Sequence, residues 1–198
     1  MPSTPLAIPY DPDAWIHVPL DYEGTPWENA EEWAAWIAEN ATRGREGGPD
    51  LAQAVRAEAS EIARFPAAHV TARFWHYPID GDPTGMADLF VQERQDDGSP
   101  AEDLLPEPGF TLVDPVIDVI DAPGFGSAVR RLTLNAVLAA EDADPVMFPK
   151  AEWLGVTGRW VAYVVSGDHD VVQLRARLDD ADALFAALPA AISESAGD

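Results

Sequence analysis

A chain of 198 residues that is 47% apolar, with seven Trp, seven Phe and four Tyr, can bury a core without disulfide or metal staples. Its 35 Asp and Glu face 12 Lys and Arg, a formal charge of −23 at pH 7, and this argues against binding of phosphate backbones, which depends on cations displacing counterions. Cysteine is absent, which excludes disulfides, thiol catalysis, Cys-ligated zinc and iron–sulfur clusters.

The cations are eleven Arg and the single Lys150, beside abundant Ala, Asp and Pro, a bias of GC-rich coding that points to an actinobacterial source. Salt adaptation is the competing reading of the same composition. The opening residues hold no basic cluster before an apolar run, and no stretch approaches the ~20 apolar residues of a membrane span. A cytoplasmic location without membrane contact is therefore the expectation.

Residues 1–24 carry Pro2, Pro5, Pro9, Pro12 and Pro19, a spacing that forbids a helix and predicts an extended arm. Tyr10, Trp15, Ile16, Val18, Leu20 and Tyr22 are too apolar to be left in water, so the arm should lie across the domain, with a sheet-edge strand over 15–20. Thr25-Pro26-Trp27-Glu28 reads as a capping box and predicts a helix over 26–42. Ala30, Trp33, Ala34, Ile37 and Ala41 share one face of it, and Glu28, Glu32 and Glu39 the other. A second helix should start near Pro49 or Asp50, turn Leu51, Val55, Ile62 and Phe65 inward, and close at Pro66.

From residue 69 the apolar period falls to two. Strands are predicted over 69–79 and 86–95, joined by the turn formers of 80–85. The polar stretch 95–108 reads as a loop with one helical turn near 101–105. Further strands are expected over 110–113, 116–121, 127–138, 156–165 and 171–178, the last two as a hairpin across 166–170. A terminal helix over 180–192 should place Leu184, Phe185, Leu188 and Ile192 on one face, bent or shortened by Pro189, with 193–198 frayed. The fold class is thus α+β: one domain over 1–198, a single antiparallel sheet of about six strands, two N-terminal helices and one C-terminal helix packed on it.

Catalytic patterns are missing. His69 and His76 stand an odd number of positions apart on one predicted strand and point to opposite faces, so they cannot share a metal. His17 has no evident ligating companion, and His169, between Asp168 and Asp170, reads as an exposed turn residue. Asp80, Asp82, Thr84 and Gly85 resemble the first half of a calcium loop, but Val91 stands where the bidentate Glu belongs and Pro83 intrudes. No nucleophile elbow occurs, Gly124-Phe125-Gly126 lacks the third glycine of a dinucleotide site, and no phosphate loop is present. No catalytic residue, metal or cofactor is assigned.

The closing part of the chain carries a resemblance. Ala128-Val-Arg-Arg-Leu-Thr-Leu134, Gly158-Arg-Trp-Val-Ala-Tyr-Val-Val165 and Asp170-Val-Val-Gln-Leu-Arg-Ala176, leading into Asp180-Ala-Asp-Ala-Leu-Phe-Ala-Ala-Leu188, resemble the end of the PsbP-like sandwich shared by mycobacterial LpqN-type proteins. There a hairpin leads into a terminal helix packed on the sheet. The resemblance implies an α+β sandwich and an adaptor-like role, and it supplies no catalytic residues. With no lipobox or export signal in this sequence, it does not imply a place in the cell envelope.

Two functions stay open. The leading expectation is a non-enzymatic, acidic protein-binding domain, an adaptor, chaperone, immunity or assembly component. It would meet a basic protein partner through Trp27, Glu32, Trp33, Trp36 and Glu39, because Trp is a strong interface residue and a negative surface steers cations. The alternative is a small-molecule binder or enzyme with a pocket between the sheet and the 95–108 loop, lined by Arg73, Trp75 and His76.

Overall fold

A computed structural model describes residues 7–94, 98–137 and 145–195. In chain order it contains β1 (Trp15–Val18), α1 (Ala30–Ala41), α2 (Gly48–Arg64), β2 (Ala72–His76), β3 (Gly85–Glu93), α3 (Ala101–Leu104), β4 (Val116–Val119), β5 (Ser127–Val137), β6 (Val146–Val156), β7 (Trp160–Gly167), α4 (Val171–Ala176) and α5 (Leu178–Ser195). The seven strands make one sheet in the order β1-β2-β3-β7-β6-β5-β4, and every neighbouring pair is antiparallel. Helices cover both faces, so the α+β class and single antiparallel sheet hold, with one more strand and two more short helices than the periodicity predicts.

Strand alternation assigns the faces. Phe74, Leu89, Trp153 and Val164 point to one side, where Leu184, Phe185, Leu188 and Ile192 of α5 bury against them. On the other side Val18 and Trp75 meet Trp33 and Ile37 of α1 and Val55 and Ala59 of α2. Further along the same side, Ala101 of α3 seats on Val129, Leu154 and Val156. The arm behaves as its apolar residues require: Ile8 packs against the α5-side core, and the Tyr10 ring stands 5.1 Å from that of Phe74. Residues 1–6 of the arm lie outside the described residues, as do 95–97 of the predicted loop, Leu138 of a predicted strand, and 196–198 of the predicted frayed tail.

Several boundaries differ, each for a physical reason. α1 begins at Ala30 because Asn29, not Thr25, caps it: Asn29 Oδ1 accepts from the Glu32 amide at 3.1 Å, and Glu32 Oε2 accepts from the Glu28 amide at 2.9 Å. Thr25 instead organises the preceding turn, its hydroxyl accepting from the Trp27 amide. His69 lies outside β2 with a φ of 65°, so it shares no strand with His76. The predicted strand over 156–165 crosses a tight turn in which the Thr157 amide donates to the Trp160 carbonyl, and the true hairpin joins β6 to β7. The predicted strand over 171–178 is helical, because Asp170 Oδ1 accepts from the Val172 amide at 2.7 Å and caps α4. Residues 110–113 contribute only the bridge Thr111–Asn135. Pro189 does not end α5; its ring packs on Gly124, whose φ of +98° and 2.6 Å clearance from a Cβ leave room for no side chain.

Candidate functional site

A cleft of about 700 Å3 lies at the β1 edge of the sheet. Its walls are the arm around Tyr10 and Pro12, the strand β1, and the α1 face that carries Trp33 and Ile37. Trp27 and Trp36 stand at its mouth with ring centroids 5.2 Å apart, and Trp36 is 48% exposed. The helical periodicity explains this: Trp33 is on the core stripe and buried, while Trp36, about 100° round from Ile37, lies beyond the edge of that stripe and reaches solvent beside Trp27.

Of the residues the sequence points to, Trp27, Trp33 and Trp36 are brought together at this cleft. Glu32 and Glu39 are not part of its lining: Glu32 is engaged in the α1 cap, and Glu39 pairs with Arg43 at 3.4 Å, both side chains exposed. The sequence gives no signal for two other contributors. Arg45 lies over the Tyr77 ring at 5.0 Å and donates through Nη2 to the Gly81 carbonyl, without a carboxylate partner among the described residues. Tyr77 is buried, and its hydroxyl makes no hydrogen bond among the described residues. Burial raises the Tyr77 pKa, and the Arg45 charge pulls it part of the way back.

The grouping of Arg73, Trp75 and His76 as one pocket wall beside the 95–108 loop is not what the fold produces. Neighbours on β2 face opposite ways, and the described part of that loop packs through Ala101 on β5 and β6, several strands away. Arg73 lies wholly buried against the end of α2. All five of its N–H bonds are used: a bidentate pair to Asp88 at 2.6 and 2.9 Å, and bonds to the carbonyls of Ile62, Phe65 and Pro66. Trp75, also buried, donates to Glu58 Oε1 at 3.2 Å.

His76 does stand beside a carboxylate, but not in a cavity. Its Nδ1 is 2.6 Å from Thr84 Oγ1 and its Nε2 2.8 Å from Asp180 Oδ2, in an imidazole only 1% exposed. Burial lowers its pKa and the Asp180 hydrogen bond opposes the shift. With both ring nitrogens taken, His76 has no lone pair or proton to offer a substrate. It ties the β2–β3 hairpin to α5, next to Arg177, which bonds the Thr84 and Gly167 carbonyls, Ser166 Oγ and Asp168. Gly85, at φ +111°, is where that guanidinium passes 3.1 Å from where a Cβ would stand.

A further buried group, Glu152, is paired with Arg131 at 2.8 Å and Lys150 at 3.0 Å and accepts from the Tyr163 hydroxyl. Burial, reinforced by that bond, holds the Tyr163 pKa far up. Towards the opposite sheet edge Phe110, Val113, Val116 and Val119 are individually exposed apolar residues for which the sequence gives no signal. Among the described residues no cluster of three His, Cys, Asp or Glu could hold a metal ion, and no helix is long and apolar enough to cross a membrane. Comparison of the chain with protein-family models, with curated proteins and with solved structures finds no match.

Proposed function

We propose that the chain is a non-enzymatic protein-binding domain whose docking site is the cleft beside β1. The observation that carries this reading is Trp36, half exposed and packed at a tilt against Trp27 at the mouth of a concavity. An aromatic pair left uncovered loses hydration free energy that a partner recovers, and such residues dominate interface energetics. The net charge of −23 favours a partner that is basic overall, because the field of the whole molecule raises its encounter rate. The adaptor-like role implied by the PsbP-like resemblance points the same way, and the setting proposed is an actinobacterial cytoplasm.

The test is affinity capture from the cells that make the protein, comparing the natural chain with Trp36→Ala combined with Glu39→Lys. Glu32 is left intact because its side chain caps α1. A partner enriched by the natural chain and lost from the folded variant supports the site; an unchanged capture profile rejects it. A second reading rests on the size of the cleft, which falls within the range of about 300–1,000 Å3 typical of small-molecule sites. In that case the folded protein purifies with, or is thermally stabilised by, a small aromatic ligand, and no protein partner depends on Trp36.

A further inference from the structure

The cleft has a property that selects among partners: it runs along the unpaired edge of the sheet. The Ala14 carbonyl accepts from the Tyr77 amide at 3.0 Å, opposite it on β2. Since hydrogen-bonded pairs alternate along an antiparallel ladder, Ile16 and Val18 turn their main-chain groups toward β2, and Trp15 and His17 turn theirs outward. The Trp15 amide is taken by the Asp11 carbonyl at 2.9 Å, and among the described residues no other backbone bond beyond the ladder engages Trp15 or His17. Among the described residues the Trp15 carbonyl and both main-chain groups of His17 therefore remain open along the cleft that these residues line.

One end of that edge is chemically marked. Tyr77 lies across from Ala14, at the start of β1, and Arg45 lies over its ring. Among the described residues the buried Tyr77 hydroxyl has no partner within hydrogen-bond distance, Arg45 directs one of its donors to Gly81, and no carboxylate pairs with Arg45. In a chain with almost three carboxylates per cation, a guanidinium with no carboxylate among the described residues, beside a buried hydroxyl with its donor and lone pairs to spare, offers a site for an acceptor from outside.

Resting on the proposed function, we infer that the cleft binds the C-terminal segment of a partner protein as an eighth strand, antiparallel to β1, with its terminal carboxylate on Arg45 and Tyr77. Direction follows from placement, because the carboxylate site is at the N-terminal end of β1. The main chain of the segment pairs with His17 and the Trp15 carbonyl, and an apolar side chain meets Trp27 and Trp36, as in other modes of strand addition.

The experiment uses two pooled hexapeptide libraries, identical except that one ends in a free carboxylate and the other in an amide, selected on the immobilised full chain. Enriched peptides are resynthesised in both forms and with N-methyl groups at alternate positions in each of two registers. The expected result is enrichment from the free-carboxylate pool, with affinity at least about tenfold above the amide. Arg45→Gln or the isosteric Tyr77→Phe should shrink that ratio, and N-methylation should abolish binding in one register only. Peptides that bind equally well as amides, or that ignore both methylation registers, overturn the inference while leaving a peptide-binding cleft in place. Enrichment from neither pool overturns the inference and the peptide-binding reading together.

Discussion

Arg73 shows how this acidic chain uses a buried cation. Its fork accepts no substitute: two N–H bonds hold Asp88, itself buried, and the other three go to carbonyls around the end of α2 that would otherwise face each other unsatisfied. Arg73→Met leaves Asp88 charged and unpaired, and should cost about 3–5 kcal/mol, read as a lower urea midpoint at unchanged slope. Adding Asp88→Leu should recover part of that loss, because the stranded charge goes too; purely additive losses would show that the pair is not coupled. His76 gives a pH-dependent counterpart. Burial holds its folded pKa below the value of the unfolded chain, so the folded protein resists a proton the unfolded chain accepts. Stability is then fully present above about pH 6.5 and is lost as pH falls from there through the lowered folded value. Urea midpoints measured across that window should show the decline, and His76→Gln should flatten it. The part that survives belongs to His17, whose pKa burial also lowers; a decline identical in both proteins would mean that His76 is not the group responsible.

Among the elements, α1 is the one whose start can be tested by single substitutions. Asn29→Ala removes the oxygen that satisfies the Glu32 amide and should cost about 1 kcal/mol in unfolding free energy. Thr25→Ala, which touches only the turn before the helix, should cost less; the reverse ranking would put the helix start back at Thr25. The faces of α1 were legible in the sequence, since Ala30, Trp33, Ala34 and Ile37 are buried as their spacing requires, and a helix stripe depends on local period alone. The β2–β3 hairpin was legible for a similar reason, turn formers between two alternating runs. What failed is what depends on distant residues. β6 is a central strand that contains Pro149, Lys150 and Glu152, and its carboxylate is tolerated only because Arg131 on β5 and Tyr163 on β7 flank it. α4 opens with Val171 and Val172, β-formers left exposed while Leu174 alone is buried. The candidate site divides in the same way. Trp27, Trp33 and Trp36 lie within ten positions of one another and could be grouped from the chain, whereas Tyr77 reaches the cleft only through the pairing of β1 with β2, and Arg45 is tied to it by contacts with Tyr77 and Gly81, more than thirty residues on. Grouping Arg73, Trp75 and His76 overlooked the two-residue alternation that the same sequence displays.

At the scale of the whole molecule, charge and apolar surface oppose each other. The strongest ion pairs, Arg73–Asp88, Arg131–Glu152 and Arg177–Asp168, are largely buried and little affected by added salt. The exposed ones, such as Arg43–Glu39 and Arg159–Glu93, are worth little to begin with, so screening them costs little. What salt mainly removes is repulsion among the surplus carboxylates that give the net charge of −23. Raising NaCl from about 10 mM to about 150 mM shortens the screening length from about 30 Å to about 8 Å, and each kcal/mol so recovered should raise Tm by about 2–4 °C. The same screening lets two chains approach. The unpaired β4 edge, with Val116 exposed and Val119 82% exposed, then has less repulsion to overcome, so self-association should rise with salt. The two effects separate by concentration and by mutation. A Tm gain from screening alone is independent of protein concentration and persists in Val119→Lys, whereas a gain from association grows with concentration and is lost in that variant. A Tm that stays flat or falls over this salt range would show that the carboxylates are already neutralised by their neighbours and that the surface does not act as a single anionic shell.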